Sequence, residues 1–219
     1  MGICPSWLSF ILYNPVRKAL TDRKKILDES CITANSLVLE VGAGNGFLTE
    51  VIAERTRKVY AVELQDDMVR KLTKRVQHFG DKVDIIHVDI ASYSIEEELF
   101  DVCLMYYSFH EVINKVDAAK NITRALKIDG VLSIYEPTIE VQNSDMQKTT
   151  ALFEDMGFKK EMSWNHFFTK FVRLRKQMKT PRRRDGGVSS GKFSPLTPKS
   201  LTKGDSRNPH SRDCGVLKI

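Results

Sequence analysis

An α/β fold, a largely parallel sheet with helices on both faces, is what the sequence predicts, and three observations predict it. Short apolar runs alternate with helical patterns from Ser36 to Arg175, the order that successive strand-helix units produce. The runs are continuously apolar, as strands covered on both faces must be. With 219 residues, 42% hydrophobic and 28% charged, the chain can also bury one sizeable core.

The first 35 residues read as one or two helices, with Asn14-Pro15 making a turn that opens the second, Val16 to Glu29. This N-terminal helical segment either covers one edge of a ligand cleft or serves as a structural cap. Strands are expected at Leu37 to Val41, Val59 to Leu64, Val83 to Val88, Val102 to Met105 and Val131 to Tyr135. Between them, Phe47 to Arg55, Gln65 to Phe79 and Val116 to Lys127 place apolar residues three and four apart, the spacing of one buried helix face. Asp129-Gly130 is expected to stop the third of these helices. A helix from Ser144 closes near Met156-Gly157, and Phe158 to Trp164 and Phe167 to Arg175 then follow across the short link Asn165-His166, which suggests an antiparallel pair.

The most informative stretch runs from Leu37 to Thr49, where a hydrophobic strand enters Gly42, Gly44 and Gly46 and a helix follows. Glycines let a backbone turn sharply and approach a ligand closely, and a helix start offers free N–H groups to a carboxylate. A dinucleotide fingerprint would need a further glycine at 47, where this chain has Phe47, and no Gly-Lys-Ser/Thr follows as in a phosphate loop. The pattern is Glu40-x-Gly-x-Gly-x-Gly46.

Glu63, followed by Leu64, ends the second strand, 21 residues after Gly42, where an acidic side chain accepts both hydroxyls of a ribose. Asp89, followed by Ile90, ends the third strand within reach of an adenine amino group. An acidic residue at a strand end is often only solvated. Here the glycine loop, Glu63 and Asp89 fall at the carboxyl ends of consecutive strands, where open α/β sheets bind ligands.

On these residues the sequence resembles the class I S-adenosylmethionine-dependent methyltransferases, over roughly residues 30 to 176. The resemblance implies a Rossmann-like seven-stranded mixed sheet of order 3-2-1-4-5-7-6 with strand 7 antiparallel. It also implies that Glu40, Gly42, Gly44 and Gly46 surround the methionine part of S-adenosylmethionine, that Glu63 holds the ribose, and that Asp89 with Ile90 meets the adenine. Residues 36–176 are then the methyltransferase domain, between the N-terminal segment and a tail.

In this family the acceptor approaches the loop after strand four, here Met105-Tyr-Tyr-Ser-Phe-His-Glu111. The glycine region is similar to that of ribosomal RNA adenine dimethylases, but the Asn-Leu-Pro-Tyr motif with which they hold a flipped-out adenine is replaced by Tyr-Tyr-Ser-Phe. The loop resembles more the small-molecule branch that includes the ubiquinone and menaquinone biosynthesis type. A protonated nucleophile needs a base, and His110 is the candidate by its titration range, with Glu111 as its alternative or its orienting partner. His110 could equally cap the next helix or bond to backbone. Tyr106 and Tyr107 could wall the acceptor site, or one of them could belong to the core.

Three functions follow: transfer of a methyl group to a small molecule, transfer to RNA or a protein, or cofactor binding without transfer. The +6 net charge bears on the second, but it is local. From Gln177 onward ten basic side chains face three acidic ones, a net +7 that leaves −1 for the rest. This Pro-, Gly- and Ser-rich stretch, 177–219, is expected to be a disordered tail that either tethers nucleic acid or merely solubilises. Cys4, Cys31, Cys103 and Cys214 have no partner at zinc-ligand spacing and are expected to be reduced thiols, without a metal site. No apolar run in the sequence reaches the ~18 residues of a membrane span, and the expected location is the cytoplasm.

Overall fold

The structure is a computed structural model that describes residues 21–178. Seven strands form one sheet in the order β3-β2-β1-β4-β5-β7-β6, as the resemblance implied. The strands are β1 (Leu37–Val41), β2 (Lys58–Glu63), β3 (Val83–His87), β4 (Phe100–Tyr106), β5 (Leu126–Pro137), β6 (Phe158–Asn165) and β7 (Thr169–Lys176). The first five run parallel, and β7 pairs antiparallel with both β5 and β6. The helices are α1 (Arg23–Glu29), α2 (Thr49–Arg55), α3 (Asp66–Val76), α4 (Lys115–Ala125) and α5 (Asn143–Asp155).

Alternation within each strand sorts the core into layers. On β1, Leu37, Leu39 and Val41 join Cys103, Met105, Leu132 and Ile134 beneath α4 and α5. Val38 turns to the other face, against Val59, Val102, Leu104 and the Ile52 of α2. Both faces being covered, all five residues of β1 are buried. The helices follow the same logic: α3 buries Met68, Leu72 and Val76, four residues apart, and α4 buries Ala118, Ala119, Ile122 and Ala125. Each large apolar side chain so buried contributes about 1.5–3 kcal/mol. Cys103 is wholly enclosed, a small apolar core residue.

Four boundaries differ from the sequence reading. Of the helix expected from Val16 to Glu29, residues 16–20 lie outside the described residues, and the described helix begins at Arg23, because Asp22 is extended and its side chain accepts from the Lys25 N–H as an N-cap. Asn14-Pro15, Cys4 and Cys214 lie outside the described residues. The helix expected from Gln65 to Phe79 stops at Val76, where a 3₁₀ turn, Gln77–Lys82, takes over. Asp129-Gly130 does not end α4, which already stops at Ala125. The pair instead lies in a bulge of β5, since Leu126 faces Phe100 while Val131 faces Val102. There Asp129 has φ +62°, and a Cβ on Gly130 would meet the Lys127 carbonyl at 2.7 Å. Finally, the hairpin link is longer than Asn165-His166: the His166 N–H bonds to the Thr169 carbonyl, and Phe167 and Phe168 occupy the turn rather than β7.

α1 is not separate from this core. Ile26 and Leu27 pack with Val38, Ile52 and Tyr135, and the Tyr135 hydroxyl donates to Glu29 Oε2 at 3.0 Å. Buried Arg173 of β7 donates to the Glu29 carbonyl at 2.7 Å.

Candidate active site

A cavity of about 950 Å³ opens at the carboxyl ends of the parallel strands, near the upper end of the roughly 300–1,000 Å³ range of small-molecule sites. β1 delivers Glu40 and the start of the glycine loop to it, β2 Glu63, the end of β3 Asp89, β4 and the turn after it Tyr106, Tyr107, Ser108 and His110, and α1 Lys25, Ile26 and Glu29, with Thr21 and Asp22 before it. The β6–β7 turn supplies its outer wall.

The three glycines serve different needs. All have positive φ, between +56° and +81°. A Cβ on Gly42 would lie 2.3 Å from the Ser108 Cβ, and one on Gly46 2.9 Å from Leu72 Cδ1, so the chain itself excludes side chains there. Gly44 alone faces open space. Gly46 is the one predicted site residue that does not line the cavity. Ser108, quoted in the sequence only as part of the loop after strand four, ties that loop to the glycine loop: its hydroxyl donates to the Val41 carbonyl at 2.7 Å.

Glu63 is 6% exposed and its carboxylate reaches across to the loop. Oε2 accepts from the Gly44 N–H at 2.7 Å, and Oε1 from the N–H groups of Leu64 and Gln65 at 2.9 and 2.8 Å. Glu40 is 3% exposed and accepts from the Thr49 hydroxyl at 2.6 Å. Burial, then the nearby Glu63 charge, pushes its carboxyl up to about 8 against the pull of Thr49. Asp89 is exposed and accepts from the Ala91 N–H, and Ile90 is buried beside it. Leu64 lines the cavity half-exposed.

His110 sits in a 3₁₀ turn after β4, and its ring is held between carboxylates. Nδ1 lies 2.5 Å from Glu136 Oε2, Nε2 3.0 Å from Glu140 Oε2, and Glu111 is farther, at 3.9 Å. The His110 peptide N–H also donates to Glu136 Oε1 at 3.0 Å. Burial alone lowers the imidazole. The hydrogen bond and charge of Glu136, with Glu111 and Glu140 behind it, outweigh that, and His110 titrates above the ordinary histidine range. α4 is capped by Asn114, not by His110. Glu136 and Glu140 were missed in the sequence, although Glu136 ends β5 as Glu63 ends β2, and that parallel could have signalled it.

Tyr106 and Tyr107 stack at 4.3 Å, both line the cavity, and Tyr106 also lies 5.7 Å from the core ring of Tyr135. The Tyr107 hydroxyl is hydrogen-bonded to the Thr169 hydroxyl. Among the described residues, no group of His, Cys, Asp or Glu side chains is arranged to hold a metal ion. Among them too, no helix is long and apolar enough to cross a membrane.

An open α/β sheet of this strand order, with a glycine loop after β1 and acidic side chains ending β2 and β3, defines a Rossmann-like nucleoside-binding domain. Residues 39–134 match the family described as "Methyltransferase domain". An uncharacterized methyltransferase of Geobacillus sp. is 29% identical over 65% of this chain and 66% of its own length. A dimethyladenosine transferase of Yarrowia lipolytica is 46% identical over 36% of this chain and 25% of its own. The chain thus spans from a quarter to about two thirds of these curated relatives. A crystal structure described as a SAM-dependent methyltransferase from Aquifex aeolicus superposes with a TM-score of 0.69, at 22% identity, over 80% of this chain and 99% of that one. Residues 39–134 thus match a methyltransferase domain, and the sheet as a whole shares the fold of that solved structure.

Proposed function

We propose that this chain transfers the methyl group of S-adenosylmethionine to a small-molecule acceptor. The observation that carries the reading is the bridge from Glu63 to Gly44 across the floor of the cavity, which places a carboxylate and an open loop side by side. In this reading Glu63 and Leu64 receive the ribose, Asp89 and Ile90 the adenine edge, and Glu40, Gly42 and Gly44 the methionine part, with Gly46 shaping the loop from behind. When bound, the cofactor supplies a methyl group already activated by a sulfonium. The residues of the chain therefore have mainly to align the acceptor and keep the site dry. His110, oriented by Glu136, receives a proton where the nucleophile carries one, and Glu111 stands behind it.

Charge favours a small acceptor over RNA. Asp22, Glu29, Glu63, Asp89, Glu111 and Glu140 line the cavity, against Lys25, His110 and His166, and an acidic opening repels a phosphate backbone. A relative named as a dimethyladenosine transferase supports the other reading, in which residues 177–219 tether RNA. In that case binding of the full chain to RNA falls steeply with salt, and removing 177–219 flattens the slope.

Calorimetric titration with S-adenosylmethionine and S-adenosylhomocysteine tests the proposal. Binding that Glu63→Ala weakens about tenfold, on the order of 1.4 kcal/mol, is the expected result, and no heat with either ligand overturns it.

A further inference from the structure

The mouth of this cavity is apolar where a soluble protein is ordinarily polar. Of the seven exposed large apolar side chains among the described residues, five line it. Ile113 is 87% exposed, Ile139 93%, Phe167 85% and Phe168 74%. They come from three separate segments, the turn after β4, the turn after β5 and the β6–β7 turn. Converging exposed apolar groups of this kind mark a binding surface, since scattering them would leave no patch.

The polar centre of the same mouth carries a definite sign. Glu111, Glu136 and Glu140 surround His110; Lys115 gives its ammonium to the carbonyls of His110 and Val112, and buried Lys170 is the cross-strand partner of Glu136. Glu136 and Lys170 are buried together and Lys115 is engaged by carbonyls, so the charges that line the cavity here are Glu111 and Glu140 against His110: a carboxylate or phosphate head is repelled and an ammonium is attracted. The stacked Tyr106 and Tyr107 add aromatic faces that a cation favours.

Resting on the methyltransferase reading above, we propose that the acceptor is an amine with an apolar body, its nitrogen at His110 and Glu140 and its body across Ile113, Ile139, Phe167 and Phe168. The ammonium gives one proton to His110 Nε2, which shares it with Glu140 and passes it to solvent. The neutral nitrogen then forms its bond to the methyl carbon as the carbon–sulfur bond breaks. The bonding pair leaves with the sulfur as a neutral thioether, and the product is the N-methylammonium ion.

The full chain, saturated with S-adenosylhomocysteine, is titrated with hexyl, octyl and decyl amines, alcohols and carboxylates. Amines are expected to bind best, each added methylene tightening binding roughly two- to fourfold. Phe167→Ser with Ile139→Ser flattens that ladder, and Glu140→Gln narrows the preference for amine over alcohol by about threefold. These side chains are exposed, and thermal melting checks that each variant stays folded. A flat ladder, a ladder indifferent to the rim variants, or carboxylates binding best overturns the proposal while bound S-adenosylhomocysteine leaves the cofactor reading standing. Failure of S-adenosylhomocysteine itself to bind overturns both.

Discussion

The carboxylate of Glu136 grips His110 twice, accepting its peptide N–H at 3.0 Å on one oxygen and facing its ring Nδ1 at 2.5 Å with the other. Glu136 is 2% exposed, so this grip fixes both the turn and the ring, and it leaves Nε2 as the nitrogen toward Glu140 and the cavity. A histidine so held presents its Nε2 in one direction.

Glu136→Gln therefore lowers the titration of His110, which ring-proton NMR across a pH series reads directly. Because the folded value is raised above the ordinary 6.5, the stabilisation His110 brings is fully present below about 6.5 and is lost as pH rises through the folded value. Urea denaturation of the variant and the parent should differ more near pH 5.5 than near pH 8.5. An equal difference at both would show that Glu136 does not govern the ring.

Glu40 has the same sign of consequence over a different pH window. Its carboxyl, pushed up to about 8 from 4.5, binds a proton more tightly folded than unfolded, so the free protein loses stability as pH climbs between those values. Glu40→Gln keeps an acceptor for the Thr49 hydroxyl and removes the buried ionisation. It should raise stability near pH 8 by on the order of 2 kcal/mol while weakening S-adenosylmethionine. Melting curves and calorimetry on one sample separate the two effects, and a variant less stable than the parent at pH 8 would contradict the argument.

The glycine loop separates folding from binding. Gly42→Ala adds a methyl 2.3 Å from the Ser108 Cβ at φ +75°, and should cost about 2–4 kcal/mol. Part of that should return with Ser108→Gly. Gly44→Ala meets nothing within 4 Å and should cost only about 1–2 kcal/mol of backbone strain, but it puts a methyl where the cofactor is proposed to lie. Chemical denaturation and S-adenosylhomocysteine titration of the pair should rank them in opposite orders.

Arg173 joins the antiparallel end of the sheet to α1, donating to the Glu29 carbonyl, Cys31 Sγ and Glu161. Arg173→Ala leaves the Glu29 carbonyl without this donor and Glu161 with Arg175 alone, and should destabilise the fold by about 2–4 kcal/mol, read from the urea midpoint.

Where hydrophobic periodicity and glycine spacing carry the information, the sequence alone sufficed. Leu37–Val41 as β1, the helix faces of α3 and α4, and the gathering of Gly42, Glu63 and Asp89 at the carboxyl ends of the strands all follow from local pattern and from the rule that parallel strands end together. What tertiary structure decided is everything that depends on distant segments meeting. Glu136 finds His110 across 26 residues and Glu140 across 30, because β4 and β5 are neighbours in the sheet, and no spacing in the chain announces that. Gly42 needs its bare Cα because Ser108, 66 positions away, occupies the space, and Asp129-Gly130 becomes a bulge because β5 must keep step with β4. Local sequence sets what each segment can become, and the register of the sheet sets which side chains share a cavity, since a strand's neighbours are fixed by packing across the whole core rather than by its own residues.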